Sequence, residues 1–157
     1  YYAVEAFKQG KSLEEVVSWI EQNKLKLNHW FTVADLNHLY RGGRISKTAA
    51  TVGTLLQLKP ILKVSEEGKL EAVEKVKGRK KSLKTLVEKV KEYIVNPNEQ
   101  VIFISHADAL EEAEEVKKGI MEQCQVKDVW IGSIGAAIGS HAGPGTIAVF
   151  FMGEKRA

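Results

Sequence analysis

The four residues Val101-Ile102-Phe103-Ile104 restrict the fold more than any other stretch of the chain. A short, unbroken apolar run reads as a strand buried on both faces, as in the middle of a layered sheet. The residues downstream of it fit that reading. After Asp108, with Glu111 three residues on as in a capped helix start, Ala109, Ala113, Val116 and Ile120 fall on one side of a helix. Val129-Trp130-Ile131 and Ile147-Ala148-Val149-Phe150-Phe151 then supply two more strands. Strands alternating with helices specify α/β layers.

The first half extends the pattern. Ser12-Leu13-Glu14-Glu15 is a capping box, and Leu13, Val16, Val17 and Ile20 make one apolar helical face. Trp30-Phe31-Thr32-Val33 reads as a short strand. Ala34 to Arg41 reads as a helix capped by Asp35 and burying Leu36, Leu39 and Tyr40, with Gly42-Gly43 as its stop. Ser46 caps a further helix to about Gln57, whose small residues Ala49, Ala50 and Gly53 permit close approach of a backbone or a ligand. Pro60–Val64 and Lys69–Lys77 form a hairpin around Glu66-Glu67-Gly68. Leu83, Leu86, Val87, Val90, Tyr93 and Ile94 mark an amphipathic helix, and Asn96-Pro97-Asn98 a turn. The expected fold is α/β, a mixed sheet flanked by helices with an inserted β-hairpin. Tyr1 to Phe7 opens in mid-helix, without Met or a cap, which we read as a cut in a longer chain.

Composition narrows function mainly by exclusion. A chain of 157 residues favours one domain, and 27% charged residues with 44% hydrophobic ones suit a soluble globular protein. A net charge of +3 is too small to require nucleic acid, and none is expected as a partner. Cys124 is the only cysteine, so we expect neither a disulfide framework nor a cysteine zinc site, and a reducing, cytoplasmic location. Cys124 itself reads as a buried thiol at a helix end. No apolar run approaches the roughly 20 residues of a membrane span, and no signal peptide is evident. Glycine fingerprints for dinucleotides and the Walker loop are missing, and His29, His38 and His106 lack ligand spacing, so no cofactor and no metal are expected. His106 and Asp108 lie at an expected strand end, where α/β proteins often bind ligands, with Asp108 read as a helix cap.

Three segments carry recognisable chemistry. The first runs from Asp35 through Arg41-Gly42-Gly43-Arg44-Ile45-Ser46. The second is Lys59-Pro60-Ile61-Leu62 with Gly68 and Lys77-Gly78-Arg79-Lys80-Lys81. The third is Ile134-Gly135-Ala136-Ala137-Ile138-Gly139-Ser140-His141-Ala142-Gly143-Pro144-Gly145-Thr146. A buried carboxylate must be hydrogen-bonded, and an imidazole such as His141 can donate to it or orient a hydroxyl that does. His141 is otherwise a hydrogen-bonded loop histidine before the last strand. Gly139, Gly143 and Gly145 let the backbone bend tightly and approach a ligand. The Arg41–Arg44 turn offers planar donor forks to an anion or an acidic surface, or simply places cations at a helix C-terminus. Lys75, Lys77, Arg79, Lys80, Lys81 and Lys84 form either a solvated face or a docking surface for an acidic protein, with Arg79 as anchor. As an RNA surface this run lacks interleaved aromatics.

In this order and spacing the three segments resemble the second half of DegV-family proteins over nearly the whole chain. The resemblance implies a fatty-acid carrier of two α/β domains, with residues 1–28 ending the first domain and its linking helices, and residues 29–157 forming the C-terminal lipid-binding domain. It implies a long-chain fatty acid as ligand, a carboxylate held by first-domain hydroxyls, and His141 in the hydrogen-bond network. Gly139, Ser140, Gly143, Gly145, Ile61, Gly53 and Leu56 are the further ligand-binding candidates. No catalytic residue is expected. The implied partners are the chain's own N-terminal domain and a fatty-acid kinase, met through Arg79, Arg41, Arg44 and Lys80. A second copy is a further expected partner, because an apolar face stripped of its cover tends to find another. Two competing readings are a dihydroxyacetone-kinase-like substrate domain using His141 and a basic protein- or RNA-docking module.

Overall fold

The computed structural model describes residues 1–46 and 58–157. Its elements in chain order are α1 (Tyr2–Lys8), α2 (Leu13–Asn23), β1 (Leu27–Thr32), α3 (Asn37–Arg41), β2 (Leu58–Val64), β3 (Leu70–Lys77) and α4 (Arg79–Tyr93). Then come β4 (Val101–Ala107), α5 (Leu110–Cys124), β5 (Asp128–Ser133), α6 (Ala136–Ala142) and β6 (Thr146–Met152). The strands form one sheet in the order β3-β2-β1-β6-β4-β5. Among the described residues only β4 and β5 run parallel, joined by the crossover helix α5 that such a pair requires. The hairpin β2–β3 extends the far side of the sheet antiparallel to β1.

Consecutive strand residues point to opposite faces, and the two apolar clusters sort accordingly. Trp30, Ile61, Ile102, Ile104, Val149 and Phe151 belong to the larger cluster, which α4 and α5 cover with Leu86, Val90, Ala113, Val116 and Ile120. Gly119 lets these two helices close up, since a Cβ there would stand 3.0 Å from Val87 Cγ2. The other face carries a smaller cluster, in which Phe31, Val33 and Leu62 meet Leu36 and Leu39 of the α3 region and Ala142 of α6. Toward β5 that face is aromatic: Tyr1, Phe103 and Trp130 make mutual edge contacts with centroids 5.4–5.7 Å apart. Trp130 stays 48% exposed there.

The structure departs from the sequence reading at several places. β1 starts at Leu27, because pairing with β6 extends from Leu27↔Met152 to Thr32↔Ile147 whatever the polarity of Asn28 and His29. α3 is shorter than expected, and Tyr40 is 40% exposed while Leu36 and Leu39 are buried. Asp35 lies before the helix and accepts the Asn37 backbone N–H at 2.8 Å in a local turn. Asp108 does not cap α5: it adopts φ +49° and Ala109 takes the N-cap position. The side chain accepting the Ala109 N–H is His106, at 3.2 Å to Nδ1. In α2 the capping box forms, but of the expected apolar face only Val16 is buried, and Leu13 is 73% exposed. The third segment, read as a bent loop, holds the short helix α6, with the left-handed backbone confined to Gly143 and Gly145. Cys124 is a buried thiol at the last residue of α5, as expected. The helix expected up to Gln57, with Ala49, Ala50, Gly53 and Leu56, lies outside the described residues.

Candidate functional site

The first and third segments, about 100 residues apart, meet edge to edge at the end of the sheet where β1 and β4 finish and β6 begins. Each supplies a glycine to the other's histidine. A Cβ on Gly42 would run into His141 Nδ1 and stand 3.1 Å from His141 Cγ. A Cβ on Gly143 would stand 2.5 Å from His38 Cδ2 and 2.6 Å from His38 Cγ. A third close approach joins Gly145 to Ala34, with 2.9 Å between the two Cβ positions. A side chain at 42 or 143 would have to displace an imidazole, and at Gly143 φ of +79° asks for glycine independently. The imidazoles of His38 and His141 are half-buried in this interlock.

Backbone bonds hold both sides in place. Gly42 donates to His38 O at 3.0 Å, Gly43 to Tyr40 O at 2.9 Å and Arg44 to Leu39 O at 2.8 Å, which closes the end of α3. Gly143 donates to Gly139 O at 2.8 Å and Gly145 to Ala107 O at 2.7 Å, tying the third segment to the end of β4. The buried Thr146 hydroxyl donates to Gly143 O at 2.8 Å, with Ala142 O at 3.1 Å, and locks the turn. Asp35 is raised by partial burial, but hydrogen bonds from the Asn37 backbone and side chain, with His38 and Arg41 nearby, leave its carboxyl net below the usual range. An open groove of about 440 Å³ runs beside the interlock, between Gly43–Ser46 and the hairpin residues Gly68–Ala72. Ile45 and Leu70 line it and also pack against the smaller apolar cluster.

The family model described as "Uncharacterised protein, DegV family" matches residues 1–154. The chain belongs to the DegV family. A DegV domain-containing protein of Clostridium perfringens is 54% identical over 156 residues, covering 99% of this chain and 54% of that protein. The fatty acid binding DegV family protein of Streptococcus agalactiae is 34% identical with a TM-score of 0.81, over 98% of this chain and 54% of that one. The Streptococcus pneumoniae Fatty Acid Kinase (Fak) B3 protein, solved loaded with linoleic acid, is 26% identical with a TM-score of 0.86, again over 98% and 54%. The chain thus spans about half the length of the relatives it matches. The mixed α/β sheet is the fold these DegV structures share.

Within this DegV domain the remaining candidates fall into three groups. His141, Gly139, Gly143 and Gly145 lie in or beside the interlock, and the exposed Ser140 bonds back to Ala137 O at 3.0 Å. Ile61 does not reach it: fully buried, it points into the larger cluster under α4, and its neighbour Leu62 faces the site side. In a strand one residue reverses the face. Arg41, Arg44 and Lys80 are exposed, with Arg44 Nη1 donating to Gly42 O at 2.6 Å. Arg79, expected as the docking anchor, turns inward: Nε and Nη2 meet Glu112 at 2.9 and 2.6 Å, and Nη2 also reaches Gly145 O at 2.6 Å. Sequence reasoning missed His38 and Glu112. The only signal for His38 was the pair of glycine-rich turns, and Glu112 had none. Among the described residues, no cluster of His, Cys, Asp or Glu could hold a metal, and no helix is long and apolar enough to cross a membrane.

Proposed function

We propose that this chain is the lipid-binding half of a fatty-acid carrier, holding a long-chain fatty acid with its carboxylate beside His141. The observation that carries the reading is the interlock of two glycine-rich turns around two half-buried imidazoles, next to an apolar cluster and a groove. An imidazole N–H there can satisfy a carboxylate that would otherwise be costly to bury. Gly139, Ser140, Gly143 and Gly145 shape the headgroup end, and Gly53 and Leu56 are further ligand-binding candidates. The acyl chain supplies most of the affinity, at about 0.8 kcal/mol per buried CH₂. Such a carrier performs no covalent step, so His141 acts as a hydrogen-bond donor and orienting group. The likeness to fatty acid binding DegV proteins supports this reading.

Residues 1–28 serve in this reading as linking helices, and residues 29–157 as the lipid-binding domain. The half of the relatives that this chain does not span is the partner for the partly covered aromatic face at Phe103 and Trp130. Presentation of the bound acid to a fatty-acid kinase is the proposed next step, supported by the likeness to the pneumococcal Fatty Acid Kinase B3 protein. Arg79, Arg41, Arg44 and Lys80 are its docking residues, and the cytoplasm its place of action. The test is native mass spectrometry with lipid extraction on the full-length protein and on His141→Ala. Fatty acid co-purifying with the first and depleted in the second is the expected result. A lipid-free protein that takes up no added oleic acid would refute the carrier.

A further inference from the structure

Two basic residues of the second sequence segment reach the backbone on both sides of the interlock. Lys59 Nζ donates to Ala34 O at 2.8 Å, just ahead of α3. Arg79 Nη2 donates to Gly145 O at 2.6 Å, in the turn that follows His141. Gly145 and Ala34 are the residues in direct contact at the seam, so the two cations hold adjoining backbones.

Glu112, in the first turn of α5, holds Arg79. It takes the Arg79 guanidinium through two nearly parallel bonds of 2.9 and 2.6 Å, the geometry in which arginine binds a carboxylate most strongly. The pair is mostly withdrawn from water, with side-chain exposures of 21% for Arg79 and 35% for Glu112. The Arg79 hydrogen bonds hold the Glu112 carboxyl below the usual range, partial burial opposes them, and the Arg79 and Lys59 charges add to the lowering. The local helix does not favour this arrangement. Arg79 is the first residue of α4, whose first turn contains no acid, and a cation there opposes the helix dipole. Glu112, by contrast, sits where a helix N-terminus favours negative charge. Tertiary contact with Glu112, rather than the preference of α4, therefore puts Arg79 against Gly145.

We propose that the Arg79–Glu112 pair is a positioning device for the ligand site, holding the Gly143–Thr146 turn and through it the His141 imidazole against Gly42. Lys59 holds the opposite wall at Ala34. Arg79 thus makes its hydrogen bonds within the domain while its side chain keeps 21% exposure. The effect on lipid rests on the carrier reading; the effect on the imidazoles does not.

The test uses the full-length protein with Arg79→Lys, Glu112→Gln and, as a control from the same helix, the exposed Glu115→Gln. Two quantities are read: displacement of cis-parinaric acid by oleic acid, and the ring signals of His38 and His141 in lipid-free protein by NMR. Lysine keeps the charge but cannot form the fork. Glutamine at 112 keeps the shape and removes the charge that holds Arg79 in place. Both variants should move the His141 and His38 ring signals and weaken oleic acid binding by about tenfold, equivalent to about 1.4 kcal/mol. The control should do neither. Ring signals unchanged in both variants would overturn the proposal, whether or not affinity falls. If the wild type binds no oleic acid, the carrier reading fails by itself. The ring signals then decide alone: moved, they support the positioning role; unmoved, they refute it.

Discussion

Gly42→Ala isolates the contact between the two glycine-rich turns, because the backbone at Gly42 is ordinary. Its φ of −77° and ψ of −1° suit any residue. Replacing glycine by alanine at such a site should stabilise by about 0.4–1 kcal/mol, through the smaller conformational freedom of the unfolded chain. Against this, the added methyl runs into His141 Nδ1 and stands 3.1 Å from Cγ, roughly 1 Å short of ordinary contact at the nearer atom. Overpacking of this kind costs about 1–3 kcal/mol. The net expectation is a loss near 1 kcal/mol. In a His141→Ala background the obstacle is gone, and Gly42→Ala should become stabilising. The difference between the two backgrounds is a coupling of about 1–3 kcal/mol, within the range seen for contacting residues. Urea unfolding of the four proteins measures it, provided the dependence on urea is unchanged. Equal effects of Gly42→Ala in both backgrounds would refute the interlock.

Other expectations rest on the same structure. Gly143→Ala meets both a φ of +79° and the His38 ring at 2.5 Å; its loss of stability should exceed that of Gly42→Ala, at about 2–4 kcal/mol by urea unfolding. Burial, with the Arg156 charge second, pushes His29 from its usual 6.5 down to about 4. The unfolded chain therefore takes up a proton first, and stability present above pH 6.5 is lost as pH falls toward about 4. The full shift corresponds to about 3 kcal/mol, which solvent screening of a half-buried ring reduces to about 1–2 kcal/mol. Unfolding free energies of wild type and His29→Phe from urea titration should diverge by that amount across this window; parallel pH profiles would contradict the assignment. Ser12→Ala removes the acceptor for Glu15 N–H at 3.3 Å and opens the capping box. It should cost α2 about 1 kcal/mol, visible as faster amide exchange confined to Leu13–Asn23.

The parts of the fold that could be read from sequence are those in which one face is simply apolar. The helices α4 and α5 bury most of the residues their periodicity marks, and the apolar runs of β4 and β6 supply Ile102, Ile104, Ile147, Val149 and Phe151 to the larger cluster. Register between faces was less legible, because Ile61 and Leu62 are equally apolar and only the sheet decides which one looks toward the site. Caps were legible where they are local, as at Ser12, and misread where a neighbouring strand end supplies the partner, as His106 does for α5. Apolar periodicity also says nothing about what covers a face, so Leu13 and Val17 stand exposed although their spacing is sound. His141 was singled out by the resemblance of its motif to the DegV family, and the structure sets it against Gly42. His38, Lys59 and Glu112 act through contacts between distant segments, and no spacing in the chain announces them.

The most direct test of the proposed ligand site is NMR of carboxyl-¹³C-labelled oleic acid bound to the full-length protein and to its His141→Ala variant. A bound carboxyl resonance that moves when the imidazole is removed, while the variant stays folded, is the predicted result. A resonance at the same position in both proteins would place the headgroup elsewhere and contradict the account.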